Sequence, residues 1–124
     1  MVSGQVQKSQ DIELDGLILD QTLTKAGRDF YDVFYSNWEP PPGISGYDIK
    51  IGEKPMPRIG TQISVTVNLM FEDYLVYLSF IKPRYEEVED AAKDAIQNVH
   101  YYLYQKQQLK QDLGGEDMSG TGIY

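Results

Sequence analysis

The sequence contains no cysteine and a single histidine, His100. The absence of cysteine excludes disulfide bonds, thiolate catalysis and thiolate metal sites, although it does not assign a compartment. The lone imidazole lies in a segment with helical spacing, and no serine in a nucleophile motif accompanies it. An ordinary half-buried or surface histidine therefore explains His100 better than a catalytic base does, and we do not expect an enzyme.

Long apolar runs and basic surfaces are also missing. No stretch of about 18 apolar residues occurs, so we expect no membrane-spanning helix. The chain has 11 Lys and Arg against 19 Asp and Glu, a net charge of −8 that disfavours nucleic-acid binding. Neither of the glycine-rich nucleotide-binding motifs is present, and the carboxylates of residues 86–90 crowd one helical turn without further oxygen ligands. We therefore predict no metal and no cofactor.

What is present is the composition of one folded domain. The 124 residues are 41% hydrophobic and include ten tyrosines, which suffices for a single core. We predict that residues 12–104 form this domain. Residues 1–11 are predicted to be a flexible segment, and residues 105–124 a mobile tail rich in Gln and Gly.

Two segments show the spacing of amphipathic helices. The first runs from Thr22 to Trp38, with Thr22 or Thr24 as its cap, and the three prolines that follow cannot continue it. The second begins after Pro83, carries acidic residues in its first turn, and keeps an apolar seam through at least Leu103.

Three segments between the helices alternate as strands do. The first is centred on Ile49, the second covers residues 62–69, and the third covers residues 74–81. Hairpin-length connections predict antiparallel pairing. Residues 12–19 could add either an edge strand or a packed arm. The expected fold class is α+β, a two-layer sandwich in which two helices cover one face of an antiparallel sheet of three to four strands.

The third strand is apolar on both faces, so helices on one side of the sheet cannot cover it entirely. Alternation assigns Tyr74, Val76, Leu78 and Phe80 to one face and Leu75, Tyr77 and Ile81 to the other. Either a partner protein or the N-terminal arm could cover the second set, and the sequence leaves both options open. Tyr101 and Tyr104 lie away from the seam of the second helix, where tyrosines often mark binding surfaces.

Several motifs follow one another at specific distances. They are G-L-x-x-D-x-T from Gly16, D-F-Y at Asp29, W-E at Trp38, IGEKPMPRIG at residues 51–60, and the strand ISVTVN at residues 63–68. In this combination the chain resembles the CsgE family of curli assembly and transport components between about Gly16 and Pro83. One departure is visible, because family members carry tryptophans around Gly60 where this chain has Ile59 and Gln62.

The resemblance implies a periplasmic adaptor whose secretory signal has been removed, and no catalysed reaction. Such an adaptor would cap the outer-membrane curli channel CsgG and would bind the curlin subunits CsgA and CsgB before they polymerise. It would also assemble into a ring-like homo-oligomer, a nonamer by resemblance.

The motifs and the aromatic pattern together give the predicted residues for protein binding or oligomerisation. Core packing is the simpler interpretation of Phe34 and Trp38, and a structural or solvent-exposed role is the simpler one for Arg58. The full predicted set is Phe30, Tyr31, Phe34, Trp38, Arg58, Ile59, Tyr77, Tyr101 and Tyr104. An alternative function is a small-ligand or lipid-binding domain, in which Tyr74, Tyr77 and Phe80 would line a cleft between sheet and helix.

Overall fold

The computed structural model describes residues 16–115 of the chain, with side chains through Leu109. Two helices and four strands occupy this part, and they confirm the predicted α+β class. In chain order they are β1 Leu17–Gln21, α1 Lys25–Asn37, β2 Tyr47–Met56, β3 Gly60–Leu69, β4 Glu72–Ile81 and α2 Tyr85–Gly115. The predicted flexible segment 1–11 and residues 116–124 of the predicted tail lie outside the described residues.

The strands form one sheet in the order β1-β2-β3-β4. β2, β3 and β4 pair antiparallel as consecutive hairpins, as predicted. β1 forms an edge strand, one of the two options predicted for residues 12–19, but it runs parallel to β2, with Ile18 opposite Ile49. The prediction of a purely antiparallel sheet is therefore wrong at this edge. α1 connects β1 to β2, and such a crossover returns the chain to the same end of the sheet and makes the two strands parallel.

Alternate residues of the sheet join both helices in one hydrophobic core. In β3, for example, Ile63, Val65 and Val67 are fully buried, whereas their neighbours are hydroxyl or amide side chains that stay partly exposed. We call these two sides of the sheet the inner face and the outer face. The buried core residues are Ala26, Phe30, Val33, Phe34, Tyr47, Ile49, Ile51, Ile63, Val65, Val67, Ile81, Val88, Ala91, Ala92, Ala95, Ile96, Val99 and Leu103.

β4 breaks its alternation at Val76. Val65 of β3 pairs with Tyr77 and the next residue, Thr66, pairs with Leu75, so Val76 is an extra residue in a β-bulge. Because of this extra residue, the β4 residues before the bulge lie on the opposite faces from those that strict alternation would give them. The predicted division of this strand into two faces is therefore wrong. It assumed that side chains alternate without interruption along the whole strand, whereas Val76 is an inserted residue.

The register assigns the side chains of β4 anew. Tyr74 and Tyr77 lie opposite inner-face valines of β3 and belong to the inner face. The outer face receives three apolar residues that lie opposite Thr66, Ser64 and Gln62. They are Leu75, Leu78 and Phe80, which we call the β4 strip.

α2 is longer than the sequence analysis predicted, since it continues from Tyr104 to Gly115. The Gln and Lys residues of this stretch are good helix formers, and some of them also make tertiary contacts. The side-chain amide of Gln107 donates to the carbonyl oxygen of Gly43 at 3.2 Å. The ammonium group of Lys106 lies over the rings of Tyr74 and Tyr102, at 5.4 and 5.5 Å from their centres. These contacts explain why the helix does not end where its apolar seam fades.

Candidate protein-binding site

The start of α1 is held by a carboxylate from another strand. Thr24 caps the helix, as one of the two predicted candidates, and its hydroxyl accepts from the backbone N–H of Gly27 at 3.2 Å. The first turn of α1 contains no acidic residue, and Glu53 of β2 supplies the negative charge. Its Oε1 accepts the backbone N–H groups of Leu23 at 2.6 Å and Thr24 at 2.8 Å. A carboxylate at this position also interacts favourably with the helix dipole.

The other carboxylate oxygen of Glu53 completes this arrangement, which we call the Glu53 clasp. Oε2 accepts the hydroxyl of Thr24 at 2.5 Å and that of Thr61, a buried residue of β3, at 2.6 Å. Partial burial raises the pKa of Glu53, but the four hydrogen bonds outweigh it and hold the pKa below its ordinary value of 4.5. The clasp therefore joins α1, β2 and β3 through one ionised side chain.

Gly27 makes room for the clasp. A Cβ atom at this position would lie 2.0 Å from Oε1 of Glu53 and 3.0 Å from Cβ of Thr22. Any larger residue would have to displace the carboxylate from its donors. Gly27 and the motif residue Glu53 thus fit each other sterically.

The hairpin between β2 and β3 carries the two predicted residues Arg58 and Ile59 at its tip. Both are exposed, Ile59 to 59%, and the backbone N–H of Ile59 donates to the carbonyl of Met56 at 3.1 Å. Arg58 has a φ of 74°, and Gly60 has a φ of 151° at a point where a Cβ would lie 2.4 Å from the carbonyl oxygen of Ile81. The tight turn and the glycine bring the tip close to the end of β4.

An open groove of about 770 Å³ lies beside this tip, between the hairpin and the starts of both helices. Four cationic side chains line it together with apolar groups from the hairpin. Lys25 pairs with Asp29 at 2.8 Å. Among the described residues, no carboxylate lies within 4.0 Å of the charged groups of Arg58, Lys82 or Arg84. These residues come from three separate parts of the sequence, and only the topology brings the three parts together.

Two of the predicted binding residues lie in the interior. Phe30 and Phe34 are fully buried, and their rings stack with centres 6.3 Å apart. Within this subunit they form the core and offer no surface to a partner. Tyr77 is partly buried and stacks on Phe30 at 6.4 Å, so it also belongs to the inner face. Core packing, the simpler interpretation of Phe34 from the sequence, describes its position here, whereas the motif did not separate packing from binding for Phe30 and Tyr77.

Trp38 joins the end of α1 to the middle of α2. Its ring stacks on Phe34 at 5.6 Å and lies against His100 at 4.6 Å. His100 Nε2 is 2.7 Å from the carbonyl oxygen of Glu39, and since a carbonyl only accepts, this nitrogen carries the proton. These contacts give the lone histidine a structural role.

The remaining predicted residues are at least partly accessible. Tyr101 and Tyr104 are 65% and 47% exposed on α2. Tyr31 is partly buried and stacks on the exposed Tyr35 at 5.8 Å, and burial raises the pKa of its hydroxyl. The structure therefore divides the predicted set into packing residues and residues that a partner could touch.

The β4 strip is an exposed apolar surface that the predicted set of binding residues does not include. The β4 strip has exposed fractions of 60% for Leu75, 53% for Leu78 and 43% for Phe80. The turn before β4 adds Met70 at 80% and Phe71 at 98%. The double-sided apolar character of the strand was a signal for such a surface, but the bulge hid which residues form it. Apolar side chains in such a row are typical of a surface that another molecule covers.

Two further findings concern classes of function. Among the side chains that the structure describes, no group of three His, Asp or Glu residues is placed to hold a metal ion. In the same part of the chain, neither helix combines the length and the apolar character that crossing a membrane requires.

Comparison with known proteins relates the chain to curli assembly. The family model described as "Curli assembly protein CsgE" matches residues 14–121. The curli production assembly/transport component CsgE of Escherichia coli O6:H1 is 36% identical over 69 residues, which is 52% of this chain and 50% of that protein. The component of the same description from Salmonella typhi is 29% identical over 99 residues, 78% of this chain and 69% of that protein.

The match to the Escherichia coli relative therefore spans about half of that relative's length. The family model extends further, because it includes β1, both helices and all three hairpin strands. The resemblance carried by the motifs between Gly16 and Pro83 is confirmed by this match. Since the family model covers most of its residues, the chain belongs to the CsgE family of curli assembly proteins.

Proposed function

We propose that this protein is a periplasmic accessory of curli secretion that binds other polypeptides and catalyses no reaction. In this role it caps the outer-membrane channel CsgG, delivers the curlin subunits CsgA and CsgB, and prevents their premature polymerisation. It works as a ring-like homo-oligomer, a nonamer by family resemblance. Family membership supports the connection with curli, and the surface of the subunit supports the mode of action.

The observation that carries the proposal is the β4 strip. β4 is an edge strand of the sheet, so one side of its backbone has no neighbouring strand within the described residues. Exposed strand edges pair readily with extended polypeptides, and apolar side chains beside the edge add contact area. An unfolded subunit of an amyloid fibre is an extended chain of high β propensity. The strip therefore fits such a client.

The same edge is protected against uncontrolled growth. Charged residues and a proline flank β4, and Asp73 accepts hydrogen bonds from the ammonium of Lys50 at 3.1 Å and from the amide of Asn68 at 2.9 Å. The bulge at Val76 interrupts the regular edge in its middle. Both features limit edge-to-edge stacking of this protein with itself. A transient contact with an extended client remains compatible with them.

The alternative of a ligand cleft lined by Tyr74, Tyr77 and Phe80 does not fit the register. Tyr74 and Tyr77 lie on the inner face, whereas Phe80 belongs to the outer face. Side chains on opposite faces of one strand cannot line the same cleft. We therefore do not carry this alternative further.

The direct test is a curlin fibre-growth assay with a variant of the strip. Leu75→Gln combined with Leu78→Gln removes apolar contact area while the inner face stays intact. The wild-type protein should delay fibre growth at equimolar or lower dose. Burying one leucine contributes about 1.5–3 kcal/mol, so we expect the double variant to need at least about tenfold more protein for the same delay.

The matched control is Leu23→Gln, because Leu23 is 72% exposed and lies outside the strip. It should delay fibres as the wild type does, and all three proteins should melt at similar temperatures. Equal delay by the strip variant would refute the role of the strip. If the wild type neither delays fibres nor is retained by CsgG in a pull-down, the proposed function itself is wrong.

A further inference from the structure

The groove beside the β2–β3 hairpin differs in charge from the protein as a whole. The chain has a net charge of −8, yet Lys25, Arg58, Lys82 and Arg84 all line this groove. Its remaining walls are largely apolar and include Met56 and Ile59. Glu86 and Glu87 follow in the first turn of α2, but they do not line the groove, and Glu87 accepts the backbone N–H of Lys82 at 3.0 Å. A groove of this kind matches an extended segment with acidic and apolar side chains.

The chain itself contains such a segment directly after α2. Residues 116–124 read EDMSGTGIY, so two carboxylates are followed by the apolar Met118 and Ile123. No basic residue occurs in this segment. Its charge and its apolar side chains are therefore complementary to the lining of the groove.

The segment cannot occupy the groove of its own subunit. The groove lies at the start of α2, beside Pro83 and Arg84, whereas the segment follows the end of the helix at Gly115. A helix of 31 residues is ~46 Å long at 1.5 Å per residue. Nine extended residues reach at most ~32 Å at 3.3–3.6 Å each. The segment is thus too short by more than ~10 Å.

We propose that the groove lined by Lys25, Arg58, Lys82 and Arg84 receives the acidic segment 116–124 of a second copy of this chain. The inference deepens the self-assembly part of the proposed function and rests on it. The donor segment and the acceptor groove are different surfaces at opposite ends of α2. Such a head-to-tail contact leaves one donor and one acceptor free in every pair, so further copies can add, and a ring forms where the rotation between copies closes.

The test is a charge exchange between the two surfaces in the full chain. One variant carries Lys82→Glu and Arg84→Glu in the groove, and the other carries Glu116→Lys and Asp117→Lys in the segment. Each variant alone should self-associate at least about tenfold more weakly than the wild type, measured by light scattering at low salt. An equimolar mixture of the two variants should regain association, because the exchanged charges attract again. High salt should weaken the wild-type assembly, since the Debye length falls to about 3 Å at 1 M.

The matched controls are Lys93→Glu and Asp94→Lys, which change exposed charges on α2 away from the groove. They should assemble as the wild type does, and circular dichroism should show that every variant is folded. Wild-type assembly by the segment variant, or no recovery in the mixture, would overturn the inference.

The fibre-growth and pull-down assays separate this inference from the proposed function. If the groove variant assembles normally but loses binding to curlin or to CsgG, an acidic segment of that partner occupies the groove and the inference is wrong. If assembly is unchanged in all variants and fibres are still delayed, only the inference fails. If the wild type is monomeric and inactive, the proposed function fails with it.

Discussion

The inner face of β3 is closed by the helices, whereas the outer face of the same strand carries hydroxyl and amide groups that remain partly exposed. One strand over, on β4, this contrast disappears. Tyr77 packs inward against Phe30, and Leu75 and Leu78 lie outward with more than half of their surface accessible. The inner face is mainly apolar, apart from its polar end at Glu53 and Thr61, whereas the outer face of the two central strands is polar.

This contrast between the two faces separates apolar residues that stabilise the fold from apolar residues whose presence the fold of one subunit does not explain. Burial of inner-face side chains contributes folding free energy directly. Exposed leucines on the outer face contribute little to the stability of a single subunit, so a covering partner is the simplest reason for them. If stability and binding divide between the two faces in this way, substitutions on the inner face should cost stability, whereas substitutions on the outer face should weaken binding.

The largest loss of stability is expected on the inner side, at Phe34. Phe34→Ala removes a fully buried ring and leaves a cavity against Phe30 and Trp38. Substitutions of this kind cost about 3–5 kcal/mol. Chemical denaturation followed by circular dichroism measures the loss. A cost below about 1 kcal/mol would contradict the assignment of Phe34 to the core.

Trp38→Phe is the matched control for Phe34→Ala. The indole N–H of Trp38 is buried without a hydrogen-bond partner among the described residues, so its removal breaks no bond. A phenyl ring can still stack on Phe34 and His100. We expect a cost of about 1 kcal/mol, well below that of Phe34→Ala.

The next effect concerns the polar end of the inner face, at Glu53. Glu53→Gln keeps the shape of the side chain but replaces one acceptor oxygen by an NH₂ group that faces two hydroxyl donors. Hydrogen bonds to charged groups contribute about 1.5–3 kcal/mol each, and we expect a total loss of about 2 kcal/mol at neutral pH because the hydroxyls can reorient. Denaturant titration at pH 7 checks the magnitude.

The same variant should differ from the wild type in its pH dependence. The pKa of Glu53 is lowered in the folded protein, so its contribution is fully present above its ordinary value of 4.5 and is lost as the pH falls through the folded value. The stability difference between wild type and Glu53→Gln should therefore be constant from pH 7 to about 5 and shrink below it. Asp20 and Asp73 also have lowered pKa values. Their protonation in acid removes stability from the wild type and from the variant equally, so it cancels in the difference. A difference that grows in acid would contradict the clasp.

Gly27→Ala breaks the same clasp from the opposite side and should have a smaller effect. The added Cβ would lie 2.0 Å from Oε1 of Glu53, which must then leave its donors. Alanine also gains up to about 1 kcal/mol of helix propensity over glycine, which offsets part of the loss. We expect a net cost of about 1 kcal/mol at pH 7. Combined with Glu53→Gln, the change should cost less than the sum, because both variants remove one interaction.

Periodicity in the sequence was sufficient to predict both helices and the three hairpin strands. Their apolar residues recur with one period over long stretches, and this pattern follows from burial of one face. Three features of the fold could not be predicted from the period of the apolar residues. The parallel pairing of β1 depends on a crossover, the bulge at Val76 changes the period inside a strand, and α2 continues through residues that give no apolar signal.

The candidate site was less predictable than the fold. Arg58 and Ile59 were found through the motif, but Lys25, Lys82 and Arg84 join them only in three dimensions. Glu53 was part of a quoted motif, and its role became visible only through its four hydrogen bonds. A sequence shows which residues are apolar or charged, whereas convergence of distant residues depends on strand order and register.

A gain in stability, rather than a loss, is expected in the turn between β3 and β4. Met70 and Phe71 form a two-residue loop with φ values of 54° and 68°, a conformation that Asn and Gly adopt far more easily. Phe71 is 98% exposed, so its ring contributes no packing in the subunit. Met70→Asn with Phe71→Gly should therefore raise the free energy of unfolding by about 1 kcal/mol, as measured by denaturant titration. If the exposed outer side serves binding, the same variant should delay curlin fibres less well although it is more stable. A loss of stability would contradict this prediction. It would show that the side chains of Met70 and Phe71 contribute packing within the subunit, although both lie outside the inner face.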